Sequence, residues 1–182
     1  VLAASRVMFG HAVSAIRILP AVAGALTVFL IGLMVRRLGG GALALAVAMT
    51  AAIAAPFYLV VNAYFSMNAF DLLVWALVAS ILLEIFLGGT ERLWWALGVV
   101  LGLGLLNKIS VVWLAGALSI GLLLSPQRSL LRTRGPWIAA AVAFLTFLPH
   151  VIWQVAHGFP TLVFMWNSTQ HKIDYSPIAF LQ

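Results

Sequence analysis

Six long apolar runs, separated by short clusters of Arg, Gly, Asn and Pro, set the rhythm of the chain. Segment A covers residues 18–35 and ends at Arg36-Arg37 and Gly39-Gly40-Gly41. Segment B covers 42–55, is broken by Pro56 and stays apolar to 61. Segment C covers 67–87 and stops at Gly88-Gly89-Thr90. Segments D (93–106) and E (109–124) are separated only by Asn107-Lys108. Segment F covers 137–156, with Pro149 near its end. A helix needs roughly 20 apolar residues to cross a bilayer core. Runs of this length without period-2 alternation predict helices, since an open sheet cannot span lipid. D and E together are too long for one straight span and short for two. They predict two short helices meeting near Lys108, with one tilted helix plus a re-entrant piece as the alternative. The expected fold is all-α, a polytopic transmembrane helical bundle of about six membrane segments forming a single domain over 1–182.

Composition agrees with that pattern. Of 182 residues, 64% are hydrophobic and 8% charged, against a usual charged share of roughly 25%, and the mean hydropathy is +1.14. So short a soluble domain cannot hide that much apolar surface. An ordinary soluble enzyme, a disordered tail and a nucleic-acid-binding module are excluded. The formal charge of +6 comes from residues standing singly or in pairs, with no basic stripe for nucleic acid. It reads instead as orientation by the positive-inside rule. Arg36, Arg37, Arg92, Arg128, Arg132 and Arg134 fall on one side and Arg6, Arg17, Lys108 and Lys172 on the other, so both chain ends face out. Residues 1–15 are expected at the outer interface. Residues 157–182, the most polar stretch, are expected as an outer loop in which Phe164 and Trp166 suit an interfacial helix. Asn167-Ser168-Thr169 fits the glycan acceptor pattern, which carries weight only in a eukaryotic secretory setting. With no cysteine, disulfides and thiolate metal sites are out. The chain starts at Val1 without an initiator Met or signal pattern, and is expected to be a fragment of a longer protein.

Polar groups within or beside apolar segments cost energy and need reasons. Asn68 and Asp71 share a helix face early in C, with Asn62 and Ser66 just upstream. A cap at Ser66 or Asn68 and the helix dipole explain them, or they shape a polar cavity. Lys108, beside Asn107 at the D–E turn, either snorkels to headgroups or holds a lipid-linked phosphate. Arg17 anchors its helix or pairs with a phosphate. His150, Gln154 and His157 form one stripe near Pro149, spaced unlike a metal motif. Glu84 is expected to pair with a cytoplasmic arginine such as Arg92. Gly98 and Gly102, with Gly104, and Gly116 and Gly121 permit close helix approach. All the informative polar groups fall on the outer side, which points to a substrate arriving within the bilayer or from outside.

The run Arg17-Ile18-Leu19-Pro20-Ala21-Val22-Ala23-Gly24, followed by Arg37-Leu38-Gly39-Gly40, resembles the second membrane helix of the bacterial family 39 glycosyltransferases. These are similar to the dolichyl-phosphate-mannose protein mannosyltransferases and the aminoarabinose transferase of lipid A. Ser66-Met67-Asn68-Ala69-Phe70-Asp71 resembles a later helix entry of that family. So do Gly102-Leu103-Gly104-Leu105-Leu106-Asn107-Lys108 and the run Leu148-Pro149-His150-Val151-Ile152-Trp153-Gln154-Val155-Ala156-His157. The resemblance implies a GT-C fold in the bacterial cytoplasmic (inner) membrane. It implies transfer of a sugar from a polyprenyl-phosphate carrier to a lipid or cell-envelope glycan acceptor on the extracytoplasmic face, with membrane lipids as neighbours. The family's general base, an aspartate of the first outer loop, would lie before Val1. Asp71 is not that residue, no catalytic residue is assigned, and this fragment alone is expected to be inactive.

By the same resemblance, Lys108 and Arg17 would hold the carrier phosphate. Asn68, Asp71 and Asn107 would shape the sugar-side cavity, and His150, Gln154 and His157 would line its roof. No cofactor or bound metal is expected from the residues, and a divalent ion remains open. A transporter or flippase would need charged or broken helices at mid-membrane, which are mostly missing. A non-catalytic membrane subunit is the third class.

Overall fold

The computed structural model describes residues 13–172, and all regular structure among them is helical. Helix α1 spans Val13–Arg37, α2 Ala42–Ala54, α3 Pro56–Ala63, α4 Met67–Phe86, α5 Arg92–Asn107 and α6 Ser110–Leu124. A 3-10 turn follows at Pro126–Arg132, then α7 at Gly135–Ala156 and α8 at Pro160–Lys172. Each of the six expected runs has become a helix or a bent helix pair. The chain divides into two compact units, Val1–Thr146 and Phe147–Gln182.

Three helices, Arg17–Arg37, Met67–Phe86 and Gly135–Ala156, are long and apolar enough to cross a membrane. Two bent pairs bring the candidate spans to five. Ala42–Ala54 and Pro56–Ala63 meet at 57°, and Ser110–Leu124 and Pro126–Arg132 at 110°. The sixth expected segment falls short. At 16 residues, α5 rises only about 24 Å, against a core of roughly 30 Å. D and E are two separate helices, as the composition of the Asn107-Lys108 junction suggests. Pro56 explains the bend in B. It has no N–H to continue the ladder, and it pushes Ala55 into an extended conformation (φ −63°, ψ 120°). Leu43, Trp113 and Leu124 are among the many large apolar side chains left exposed. Such a surface suits lipid.

In the first unit, α1 lies beside α4 and against the bent α2–α3 pair. Gly32 approaches Leu45 and Met49, and Gly24 approaches Asn62, so α1 and α2–α3 run antiparallel. Arg37 Nε lies 2.7 Å from Glu84 Oε1, joining the C-terminal ends of α1 and α4. The expectation was an arginine such as Arg92, and the one found is Arg37. Glu84 takes the arginine of the helix packed beside it rather than that of the following turn. Helices α4 and α5 are antiparallel, with Gly104 against Val74. Helix α7 joins α5 through the small residues of both. A Cβ on Gly98 would meet the Ala139 carbonyl oxygen at 2.6 Å, and one on Gly102 would meet Thr146 Cβ at 2.5 Å. Gly116 and Gly121, expected to do the same, face open space. Val78, Ile85, Trp94, Leu97, Leu114 and Ala139 form the buried core.

The packing sorts the charges. Arg37 sits with Glu84, and Arg92 opens α5 just after the turn that leaves α4. Arg134 adjoins Gly135, which packs on Trp94. These arginines gather at the end of the unit opposite Lys108. At the turns there, Gly39 (φ 85°) and Gly88 (φ 88°) take left-handed conformations that other residues adopt only with strain.

The second unit is built around the corner between α7 and α8. Residues 160–172, within the stretch expected as an outer loop in which Phe164 and Trp166 suit a helix, form helix α8, whereas residues 173–182 and the expected interfacial stretch up to residue 12 lie outside the described residues. Pro160 suits the first helical position. Gln154, itself buried, caps α8 from the preceding helix. Its Oε1 accepts from the Thr161 N–H at 3.2 Å, and its Nε2 donates to Thr161 Oγ1. Gln154→Ala is expected to weaken this corner by about 1 kcal/mol, the usual value of a helix cap. Faster hydrogen exchange at Thr161 in the full-length protein, with α1–α6 unchanged, is the measurement that checks it.

Candidate functional site

Four of the eight candidate residues come together where α4 begins and α5 gives way to α6. Helix α5 ends because Lys108 turns extended (φ −156°, ψ 135°) after its N–H bonds the Gly104 carbonyl at 2.8 Å. The junction thereby lies over the first turns of α4. Asn107 Nδ2 donates to the Met67 carbonyl at 2.9 Å. Lys108 Nζ donates to Asn68 Oδ1 at 2.9 Å and lies 3.4 Å from Asp71 Oδ2. The three-residue spacing of Asn68 and Asp71 puts both on the face that meets the lysine.

The residue that sequence reasoning missed is Ser110. Its Oγ donates to the Asp71 carboxylate, 2.9 Å from Oδ1 and 3.1 Å from Oδ2. A serine at a helix start reads as a cap, so only the packing could assign it to another helix. The cap explanation for the α4 residues also changes. Ser66 holds the N-cap position of α4 without a side-chain capping bond, and its buried Oγ has no hydrogen-bond partner among the described residues. Asp71 lies beyond the first turn, and its oxygens serve Ser110 and Lys108 rather than the helix amides.

The Asp71 side chain is 13% exposed and that of Lys108 32%. Two charges in so sheltered a place attract strongly, but each is costly if left unpaired. The ammonium has three N–H donors. Asn68 and Asp71 occupy two, which leaves one for a ligand. The arrangement can therefore hold an anion or a hydroxyl beside a fixed cation. Asn68 and Asn107 are already committed to bonds inside it.

A mostly apolar groove of about 480 Å³ lies in the first unit, and none of the cluster's own residues lines it. Leu105 and Val111, on either side of the Asn107-Lys108 junction, line it at one end, and Phe86, Trp94 and Gln127 line it at the other.

Of the other candidates, Arg17 belongs to the first unit and His150, Gln154 and His157 to the second. Arg17, exposed on α1, makes no hydrogen bond or ion pair with the described residues. It precedes Arg37 by 20 residues, about 30 Å of helix, and so lies at the end of α1 away from the Arg37–Glu84 pair. In the second unit, Gln154 Nε2 lies 3.1 Å from His150 Nε2, and His157 Nδ1 lies 2.8 Å from the Trp153 carbonyl oxygen. The rings of His150, Trp153 and His157 stack in series, with centroids 6.1 and 4.6 Å apart. Within this unit the three polar residues build the α7–α8 corner. Among the described residues no group of His, Asp and Glu could hold a metal ion.

Apolar helices with Arg37, Arg92 and Arg134 gathered at one end of the first unit, and a sheltered Lys–Asp–Asn–Ser cluster at the other, define a multi-pass membrane protein with a polar cluster where α4 meets the α5–α6 junction. Residues 1–153 match the family model described as dolichyl-phosphate-mannose-protein mannosyltransferase. The chain belongs to that family, which is one of membrane glycosyltransferases. No curated protein and no solved structure matches the chain.

Proposed function

We propose that this chain forms the donor-binding part of a glycosyltransferase that takes a sugar from a polyprenyl-phosphate carrier and passes it to a lipid or cell-envelope glycan acceptor. The observation that carries this reading is the Lys108 ammonium held between Asn68 and Asp71, in a unit whose apolar groove includes Leu105 and Val111 near the same junction. A polyprenyl phosphate needs both features within one molecule's reach: a donor for the phosphate and an apolar wall for the chain. Lys108 holds the phosphate through its remaining N–H, and the prenyl chain lies along Leu105 and Val111. Arg17 adds a second cation at the same face. Asp71 and Asn68 keep the lysine in place and border the sugar. Asp71 is not assigned as the general base: its carboxylate accepts from Ser110 and faces Lys108.

The site faces the extracytoplasmic side of a bacterial inner membrane in this reading. The support is the concentration of arginine at the opposite end, as the positive-inside rule expects of a cytoplasmic face. A single cysteine tests the orientation, because the chain has none of its own. Asn107→Cys in intact cells is expected to react with a membrane-impermeant thiol reagent, and Thr133→Cys only after the cells are opened. The opposite pattern overturns the assigned face, and with it the donor.

A further inference from the structure

The ion pair at this site is looser than its partners would make it alone. A charge-assisted N–H···O contact settles at about 2.7–2.9 Å, yet Lys108 Nζ stands 3.4 Å from Asp71 Oδ2. The same ammonium reaches the neutral Asn68 Oδ1 at 2.9 Å. The same carboxylate accepts from Ser110, whose hydroxyl lies within hydrogen-bond distance of both its oxygens. Ser110 makes no capping bond at the start of α6, where Ile109 occupies the N-cap position. Its hydroxyl is thus committed across to α4. Residues 108 and 110, on either side of one helix break, compete for a single carboxylate.

We propose that Ser110 is a positioning residue that keeps the Lys108–Asp71 pair open, so that the lysine's charge stays available to an anionic ligand. A carboxylate that accepts a hydroxyl hydrogen draws less strongly on a nearby ammonium. Without the hydroxyl, Asp71 pulls Lys108 into close contact and away from Asn68. The cation is then neutralised within the protein, and an incoming phosphate must first break a tight, sheltered pair. Ser110 touches neither donor nor acceptor and acts through Asp71 on Lys108. The consequence for donor binding rests on the function proposed above, whereas the effect on the lysine does not.

Two readouts in the full-length protein keep these apart. The first is the rate at which Lys108 is acylated by an amine-reactive ester in ligand-free membranes, followed by mass spectrometry of its peptide. A tighter ion pair holds the lysine nitrogen against the carboxylate and away from the reagent. Ser110→Ala is therefore expected to slow labelling by about tenfold, the scale of one hydrogen bond to a charged group, and Ser110→Thr to label like the wild type. The second is steady-state transfer from a polyprenyl-phosphate sugar. Here Ser110→Ala should raise the donor KM about tenfold with kcat within about twofold, and Ser110→Thr should restore it. Unchanged or faster labelling of Ser110→Ala overturns the proposal, as does slowing that the threonine does not rescue. Slowed labelling with an unchanged donor KM in an active enzyme overturns the link to the donor. If the wild type uses no such donor, the functional reading has failed and the labelling rates alone decide the role of Ser110.

Discussion

Lys108→Ala in the full-length protein is expected to lower kcat/KM for a polyprenyl-phosphate donor by about 100-fold, the upper range for one hydrogen bond to a charged group. The loss has two sources that can be separated. One is the missing ammonium. The other is the Asp71 carboxylate, 13% exposed, left with Ser110 as its only side-chain partner among those identified. Orphaning a sheltered charge destabilises on the order of 3 kcal/mol, so the single variant is expected to unfold more readily as well. Adding Asp71→Asn removes the orphaned charge. The double variant should recover most of the stability, measured by thermal unfolding in detergent, and none of the transfer. Recovery of both would make the lysine a structural residue.

The second large effect is expected far from any charge. Gly98→Ala should destabilise by about 2–3 kcal/mol, in the range for an overfilled core. The new methyl would come within 2.6 Å of the Ala139 carbonyl oxygen and 2.7 Å of Val142 Cβ. The carbonyl is backbone, so helices α5 and α7 would have to part. Gly116→Ala and Gly121→Ala meet nothing within 4 Å and should be neutral or slightly stabilising, since alanine is the better helix former. Thermal unfolding of the three variants side by side checks both statements. Equal effects at all three positions would mean that close packing is not what Gly98 provides.

That contrast shows where the sequence stops informing. Gly98-Val99-Val100-Leu101-Gly102 and the pair Gly116 and Gly121 look alike as strings of small and apolar residues. Which of them touches a neighbour depends on the helix that lies beside it. The helices themselves were readable because lipid demands long unbroken apolar runs and punishes exposed backbone. Their ends fell at Gly39, Pro56, Gly88 and Lys108, residues that cannot or need not continue a helix in lipid. The site was half readable. Asn68, Asp71, Asn107 and Lys108 each stood out as polar groups needing a reason, but nothing in their order says that the start of α4 meets the α5–α6 junction. Ser110 stayed hidden for that cause, and so did the pairing of Glu84 with Arg37, which joins two helices that are not consecutive. The α7–α8 corner was obscured by composition. In the polar stretch after residue 157 Phe164 and Trp166 suit a helix, but nothing in its composition shows that Gln154 caps it.

Membership in a family of membrane glycosyltransferases and the sheltered Lys108 cation together make the nature of the donor the central claim. Reconstituting the full-length protein in vesicles and offering a radiolabelled sugar, either on a polyprenyl phosphate or on a nucleotide, tests it most directly. The label should move to an acceptor from the polyprenyl phosphate alone, and the Lys108→Ala, Asp71→Asn double variant should abolish that transfer. Transfer from the nucleotide sugar, or transfer from the lipid that the double variant leaves intact, would contradict the account.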